Sequence, residues 1–80
     1  MTISFIGGGA MCEAILKGIL VAKGATPDEI TIAEPRKIRR NELSKKYGVI
    51  TTASNLNAVS NNADIIVLAV KPQVVSFVLN

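Results

Sequence analysis

Four short runs rich in apolar and β-branched residues are spread along the chain, at positions 3–6, 30–33, 49–52 and 65–70. The last run, Ile65–Val70, contains no polar residue, which is typical of a central strand buried on both faces. Between the runs, apolar residues recur at helical spacing, and glycine or proline marks the segment ends. The pattern therefore predicts strands alternating with helices in the order β-α-β-α-β-α-β.

The helices are predicted from their apolar faces and their end signals. In the first helix Gly24 is the expected C′ residue, and close packing onto a sheet would justify Gly18 in its interior. Its apolar face is predicted to comprise Met11, Ala14, Ile15, Gly18, Ile19 and Ala22. The remaining helical segments are a single capping-box turn at Thr26–Glu29, a helix from Arg36 to Tyr47 that stops at Gly48, a short helix from Ser54 or Asn55 to Asn62, and a last helix beginning in Val74–Leu79.

Three consecutive glycines follow the first run, where the predicted strand passes into the first helix. A dinucleotide-binding turn needs this order, because Gly7 leaves the strand with a positive φ and Gly9 lets the backbone approach a pyrophosphate. The free amides near Ala10 and Met11, at the positive end of the helix, would bind the anion. Cys12 takes the third fingerprint position, where a small residue is needed. The predicted fold class is therefore α/β, a partial Rossmann-like parallel sheet with helices on both faces.

The carboxyl ends of the predicted strands meet at one edge of the sheet. Right-handed crossovers between parallel strands produce this arrangement, and ligands bind at that edge. Three candidate segments lie at such ends: Gly7–Met11, Glu34–Arg36 and Ala69–Pro72. Their convergence from separate strands predicts one binding site more strongly than the glycines alone.

The charged residues after the second strand leave the choice of cofactor open. Glu34 stands where an acid accepts hydrogen bonds from the adenosine ribose of NAD, although it would equally suit the positive end of the next helix. Arg36, with Arg39 or Arg40 nearby, would instead hold the 2′-phosphate of NADP. Both NAD and NADP therefore remain candidates.

Composition limits the class of protein. Eighty residues make one small domain, and with 49% hydrophobic but only 4% aromatic residues its core is expected to be aliphatic. We interpret the chain as an N-terminal domain or a fragment. The lone cysteine cannot form an internal disulfide, and no signal peptide or membrane span is evident, so a soluble cytoplasmic protein is expected.

Several residues have a structural interpretation beside a functional one. The basic segment from Arg36 to Lys46 would serve either as a nucleic-acid surface or, as we favour, as a solvated helix face in which Glu42 pairs with Lys45 and Lys46. Cys12 is expected to pack rather than react, because the chain has no histidine to activate it. Asn55 would cap a helix or lie near the site, and Lys71 would be a surface residue or meet a cofactor.

The motifs also carry a resemblance. The glycine turn, Ala33-Glu34-Pro35-Arg36, Tyr47-Gly48-Val49 and the stretch from Ala63 to Gln73 occur together over essentially the whole chain. In this arrangement the chain resembles the N-terminal domain of pyrroline-5-carboxylate reductase. The resemblance implies NAD(P)H-dependent reduction of 1-pyrroline-5-carboxylate to L-proline, with NADP or NAD as cofactor. It also implies a helical C-terminal domain, absent here, that holds the imine substrate and the contacts of a homo-oligomer.

The resemblance assigns cofactor contacts to four regions of this sequence. The pyrophosphate would lie against Ile6, Gly7, Gly8, Gly9, Ala10 and Met11. Glu34 and Arg36 would contact the adenosine ribose, and Asn55 would lie near the same end. The nicotinamide and its ribose would be bordered by Ala69, Val70, Lys71 and Pro72. No catalytic residue and no metal ligand is assigned.

Three departures from the family pattern affect the cofactor site. Ala10 replaces a position that is often polar, Cys12 replaces the usual alanine, and Glu34 opposes a strong NADP preference because an acid repels a 2′-phosphate. Two rivals remain. One is another NAD(P)-linked reductase of the hydroxyacid or F420-linked type, and the other is a nucleotide-binding module without chemistry. Partners other than dinucleotide and imine, namely nucleic acid or a membrane, are not expected.

Overall fold

The structure is a computed structural model that describes residues 1–60, 62–71 and 74–79. The strands and helices follow one another along the chain with short connections. In order they are β1 (Ile3–Ile6), α1 (Ala10–Val21), a 3₁₀ turn (Pro27–Glu29), β2 (Ile30–Ala33), α2 (Lys37–Tyr47), β3 (Ile50–Thr52), α3 (Asn55–Ser60), β4 (Ile65–Lys71) and β5 (Val74–Leu79).

The strands form one five-stranded sheet in the order β3-β2-β1-β4-β5. β1 pairs in parallel with β2 on one side and with β4 on the other, and β2 pairs in parallel with β3. The first four strands thus have the Rossmann order. In this order β2 and β3 are added on one side of β1, and the chain then crosses back to place β4 on the other side. The predicted fold class is confirmed, and the glycine turn leaves β1 at this reversal point.

Helices cover both faces of the sheet. On one face, Ile3 and Phe5 of β1 pack with Cys12 and Leu16 of α1 and with Leu43 of α2. On the other, Ile6 packs against Ala33 and Ala58, the last of which belongs to α3. Ser4 also faces α3 and satisfies its hydroxyl by donating to the Ala58 carbonyl oxygen at 2.8 Å. The period-two alternation of a strand thus supplies both layers of the core.

The last segment corrects a prediction, because Val74–Leu79 is a strand and not the start of a helix. It pairs antiparallel with β4, with Leu79 opposite Ile65 and Phe77 opposite Val67, so the sheet is mixed rather than all-parallel. Its β-branched and aromatic residues favour an extended chain, and the backbone of β4 offers an edge on that side. Pro72 and Gln73, which were predicted to end β4 and begin the helix, lie outside the described residues.

Helix α1 is where predicted, but its predicted apolar face is only partly correct. Cys12 and Leu16 are its buried residues, and Ile15 and Ile19 of the predicted face pack partly buried against the core. Ala14, Gly18 and Ala22, by contrast, are exposed. Apolar residues surround this helix on nearly every side, so their spacing alone does not select a face. The inward face is selected by the side chains of the sheet.

The C-terminus of α1 also differs in detail from its prediction. Lys23, rather than Gly24, adopts the left-handed conformation, with φ +58°. The amide of Lys23 donates to the Leu20 carbonyl at 3.2 Å and that of Gly24 to the Ile19 carbonyl at 3.0 Å. These two bonds form a Schellman motif with lysine at C′.

Two other end signals were predicted correctly, while α3 ends at Ser60 and not at the predicted Asn62. Thr26 and Glu29 form the capping box around the 3₁₀ turn, and Gly48 ends α2 with φ +75°. At the start of α3 it is Ser54 that caps, because its Oγ accepts the amide of Asn57 at 3.3 Å. Asn55, the alternative cap, is the first helical residue and is exposed.

Replacing Gly18 with alanine should stabilise the chain. A Cβ at this position meets no atom within 4 Å, so the predicted close packing on the sheet is wrong and the glycine carries only its helix penalty. We expect Gly18→Ala to raise the free energy of unfolding by about 1 kcal/mol, measured by urea denaturation followed by circular dichroism. A loss of stability would contradict the open environment described for this position.

Candidate functional site

A cavity of about 260 Å³ opens at the carboxyl ends of β1, β2 and β4. Its walls come from the glycine turn, from the end of β2 and from β4, in the residues Gly7, Gly8, Gly9, Ala10, Met11, Glu34, Arg36 and Ala69. The convergence of the three segments that the sequence predicted is therefore present in the structure.

The glycine turn presents backbone amides to this cavity. Gly7 has φ +103°, as predicted, and its amide donates to the Ala33 carbonyl at 2.9 Å, which ties the turn to β2. Gly9 is the N-cap of α1, and no side-chain hydrogen bond caps the helix there. The amides of the first turn, including Ala10 and Met11, have no acceptor within the helix and lie at its positive end. This end of α1 is chemically suited to a phosphate.

The two glycines that follow Gly7 have different roles. A Cβ on Gly8 would lie 2.9 Å from the Cβ of Glu34 and 3.1 Å from a methyl carbon of Leu43, so Gly8 is needed for packing. A Cβ on Gly9 meets no atom within 4 Å. Gly9 therefore leaves space beside the amides, which is the fit that a bound pyrophosphate requires. The fingerprint pattern assigned a role to Gly9 but gave no packing role to Gly8.

Glu34 is buried, with 3% of its surface exposed, and both of its carboxylate oxygens accept hydrogen bonds. Oε1 accepts the Gly8 amide at 3.1 Å and Arg36 Nη2 at 3.3 Å; Oε2 accepts the Arg36 amide at 2.7 Å and its Nε at 2.9 Å. The bonds from Arg36 hold the pKa of Glu34 below its ordinary value, although burial acts to raise it. A carboxylate has about four lone-pair sites, so none is left for a ribose hydroxyl while Arg36 stays in place.

The three arginines after Glu34 have separate roles. Arg36 pairs with Glu34 and is 66% exposed at the cavity wall. Arg39 donates instead to the carbonyl oxygens of Gly8 at 2.6 Å and Gly9 at 3.3 Å. Arg40 donates to the carbonyl oxygens of Glu34 at 2.9 Å and Pro35 at 2.8 Å. Of the three, Arg36 is the one whose side chain lines the cavity.

Glu13 joins α1 to α2, a role that the sequence did not reveal. Its carboxylate accepts Arg39 Nη2 at 2.7 Å, Lys46 Nζ at 3.0 Å and the hydroxyl of Tyr47. These bonds, that from Tyr47 first, lower the pKa of Glu13 to about 2. The pairing predicted within α2 is replaced, since Lys46 reaches Glu13 and Glu42 faces Arg39 at 3.6 Å. The basic segment is thus only partly a solvated face.

A second cavity of about 310 Å³ adjoins the first around Gly7, Glu34 and Arg36, which line both. Its other walls are Ile6, Ala33, Pro35 and Asn55. Together the two cavities are called the groove. Asn55 lines its second cavity, while the capping role belongs to Ser54; the contact of Asn55 with a cofactor stays a prediction.

The end of β4 contributes Ala69 to the first cavity. Val70 and Lys71 belong to β4 by their backbone, but their side chains are outside the description, and Pro72 lies outside the described residues. Their predicted contacts with a nicotinamide therefore stay predictions. Cys12, by contrast, is fully buried against the core, and burial raises the pKa of its thiol to about 12, so it packs as predicted.

Two features are absent from the part of the chain that the structure describes. None of its helices has the length and apolar character needed to cross a membrane. Within the same residues, no group of three or more histidine, cysteine, aspartate or glutamate side chains is arranged to hold a metal ion.

The fold and the site define a Rossmann-like α/β domain with a glycine turn of the dinucleotide-binding type. The model of the family described as NADP oxidoreductase, coenzyme F420-dependent, matches residues 2–80, and the chain belongs to this family.

Individual relatives extend the comparison. The chain is 43% identical over 77 residues to the pyrroline-5-carboxylate reductase of Synechocystis and 43% identical over 74 residues to that of Vibrio alginolyticus, covering 96% and 92% of this chain. A solved structure of the pyrroline-5-carboxylate reductase of Coxiella burnetii matches 89% of this chain with a TM-score of 0.77 and 39% identity. The chain spans 28%, 26% and 26% of the lengths of these three proteins.

The pH dependence of stability tests the Glu13 cluster. The pKa of Glu13 in the fold, about 2, lies below its ordinary value of 4.5, so the unfolded chain binds the proton more readily. The resulting stabilisation is present above pH 4.5 and is lost as the pH falls toward 2. We expect Glu13→Gln to be less stable than the wild type near neutral pH, with the difference shrinking across that window, in urea unfolding followed by circular dichroism. Glu42→Gln is the comparison variant, because this acid is 60% exposed and lies 3.6 Å from Arg39, so its loss shows the effect of removing a weaker partner of the same arginine. A pH-independent difference for Glu13→Gln would contradict the cluster.

Proposed function

We propose that this chain is the cofactor-binding part of an NAD(P)H-dependent reductase that converts 1-pyrroline-5-carboxylate to L-proline. The observation that carries the proposal is the uncapped start of α1, whose amides open into a cavity built from three strand ends. The named reductases that the chain matches at 39 to 43% identity support the choice of substrate.

The groove suggests how a dinucleotide is held. The amides of Ala10 and Met11 bind the pyrophosphate, and the missing side chain of Gly9 permits its approach. The adenosine end occupies the second cavity beside Asn55, and the nicotinamide end lies toward Ala69 and the end of β4. The bound cofactor supplies a hydride to the imine carbon of the substrate, while the protein orients the reactants and excludes water.

The described side chains at the groove include no evident proton donor for the reaction, because Glu34 is ion-paired and Cys12 is buried. We propose that the substrate-binding residues and the contacts of a homo-oligomer lie in a further, helical domain, because this chain spans only 26 to 28% of the lengths of the named reductases that it matches. Residues 1–80 then serve as the N-terminal NAD(P)-binding domain.

Between the two cofactors, we propose that NADPH binds more tightly than NADH. Glu34 would repel a 2′-phosphate if its charge were free, but Arg36 compensates that charge through two side-chain bonds. The exposed part of the Arg36 guanidinium then remains for the phosphate, which such a planar group binds well.

An F420-linked oxidoreductase is the second candidate, because the family description names that class. The dinucleotide groove serves both reactions. Assaying the complete protein with 1-pyrroline-5-carboxylate and with reduced F420 separates them.

Titration of the 80-residue chain with NADPH and NADH, followed by amide NMR shifts, tests the cofactor proposal. We expect NADPH to bind more tightly and to shift the amides of the glycine turn. Arg36→Gln should weaken the binding of NADPH by about tenfold, about 1.4 kcal/mol, and should change the affinity for NADH less. Without Arg36 the charge of the buried Glu34 is no longer compensated, and it repels the 2′-phosphate that only NADPH carries.

Lys37→Gln is the matched control, since it removes an equal charge from the exposed neighbouring position. Tighter binding of NADH by the wild type would overturn the NADPH preference. Absence of binding to either dinucleotide would overturn the proposed function itself.

The neighbouring glycines should separate folding from binding. Gly8→Ala forces a Cβ against Glu34 and is expected to destabilise the chain by about 1–3 kcal/mol. Gly9→Ala meets open space with φ −81°, which alanine tolerates, so stability should stay near that of the wild type. NADPH affinity should nonetheless fall by about tenfold, because the new methyl stands beside the anion-binding amides. Unchanged affinity in Gly9→Ala would place the pyrophosphate elsewhere.

A further inference from the structure

The side chain of Arg39, a residue of α2, forms hydrogen bonds with the glycine turn. Its Nε donates to the carbonyl oxygen of Gly8 at 2.6 Å, and its Nη2 donates to that of Gly9 at 3.3 Å. Hydrogen bonds from a charged donor are stronger than neutral ones. One guanidinium thus holds two successive peptide groups of the turn.

The guanidinium is itself fixed by acids on both helices. Glu13 of α1 accepts Nη2 at 2.7 Å, and Glu42 of α2 lies 3.6 Å from Nη1. Glu13 is in turn held by Lys46 and Tyr47. The Arg39 side chain is only 20% exposed, so this arrangement is shielded from solvent more than a surface ion pair is.

These contacts fix where the amides of the turn point. In a trans peptide the C=O and the following N–H point in opposite directions. Because the carbonyls of Gly8 and Gly9 point to Arg39, the N–H groups of Gly9 and Ala10 point away from it. The Gly9 carbonyl also accepts the amide of Glu13 at 3.1 Å, the first bond of α1. The Gly8–Gly9 peptide has no such helical bond, and because it joins two glycines it rotates easily, so without Arg39 it is free to turn its carbonyl toward a bound anion.

Gly8 is also held through its amide group. Its amide donates to Glu34 Oε1 at 3.1 Å while its carbonyl accepts from Arg39. Arg39 reaches the ligand site only through these peptides, because the described lining of the cavity includes Arg36 but not Arg39.

We propose that Arg39, held by Glu13, is a positioning residue that presets the Gly8–Gly9 peptide, beside the start of α1, for binding a pyrophosphate. This inference rests on the proposed function, and it adds a residue outside the glycine fingerprint to the phosphate site. Order in the unliganded turn lowers the cost of binding, since less freedom is lost when the ligand arrives.

The first test needs no ligand. ¹⁵N relaxation dispersion of the unliganded chain is compared for the wild type, Arg39→Lys, Arg39→Gln and the control Lys45→Gln, which removes one charge from an exposed position of α2. We expect exchange broadening at Gly8, Gly9 and Ala10 in both Arg39 variants, and none in the wild type or the control. Unchanged dispersion in both Arg39 variants would overturn the proposal.

The second test compares two probes in the same four proteins. NADPH carries a pyrophosphate, whereas adenosine 2′-monophosphate reports only the adenosine end and the integrity of the fold. We expect the Arg39 variants to bind NADPH about tenfold more weakly and to change adenosine 2′-monophosphate affinity by less than about twofold.

The outcomes distinguish the two proposals. Equal losses for both probes would mean a general structural role for Arg39, and NADPH affinity equal to that of the wild type would mean no role in binding; either result overturns the positioning role alone. Failure of the wild type to bind NADPH would overturn the proposed function and the positioning role with it.

Discussion

The site depends on the contact between Glu34 and Gly8. The buried carboxylate at the end of β2 accepts the Gly8 amide, and the β- and γ-carbons of Glu34 lie where any side chain on residue 8 would have to be. This contact brings the turn after β1 against the end of β2. It also makes Glu34 a structural anion whose charge is balanced by Arg36. The acid at the end of β2 therefore has a different role here from that of a free ribose acceptor.

A second layer of charge surrounds this contact. Arg39 binds the carbonyl side of the turn, while Glu13 joins Arg39 to Lys46 and Tyr47 and so links α1 with α2. Of these α2 residues, Arg39 lies against the glycine turn with 20% of its side chain exposed, whereas Lys46 reaches Glu13 and is 63% exposed. The backbone that would contact a phosphate is thus held from one side by Glu34, which lines the cavity, and from the other by Arg39, which is not among the described lining residues.

The fold was predictable because its signals are local. Apolar runs, a capping box, Gly48 and the Gly7 turn each act within a few residues, and the right-handed crossover rule converts their order into a sheet. The segment Val74–Leu79 was predicted incorrectly because proline before an apolar run suits a helix start as well as a hairpin return. The buried face of α1 was predicted only in part, because apolar residues surround the helix and packing against the sheet decides which of them are buried.

The site was predictable in its position and not in its contacts. Strand ends identified Gly7–Met11, Glu34, Arg36 and Ala69, but Glu13 lies 26 residues from Arg39 in sequence and no periodic pattern connects them. The sequence placed Arg39 or Arg40 near Arg36 at a 2′-phosphate, whereas in the structure Arg39 and Arg40 donate to backbone carbonyl oxygens instead.

A crystal structure of the chain with NADPH would show directly whether the start of α1 binds the pyrophosphate. We expect the pyrophosphate within hydrogen-bonding distance of the Ala10 and Met11 amides, the 2′-phosphate at Arg36, and Glu34 still bonded to Gly8. A nucleotide bound elsewhere, or a ribose hydroxyl bonded to Glu34 after displacement of Arg36, would contradict it.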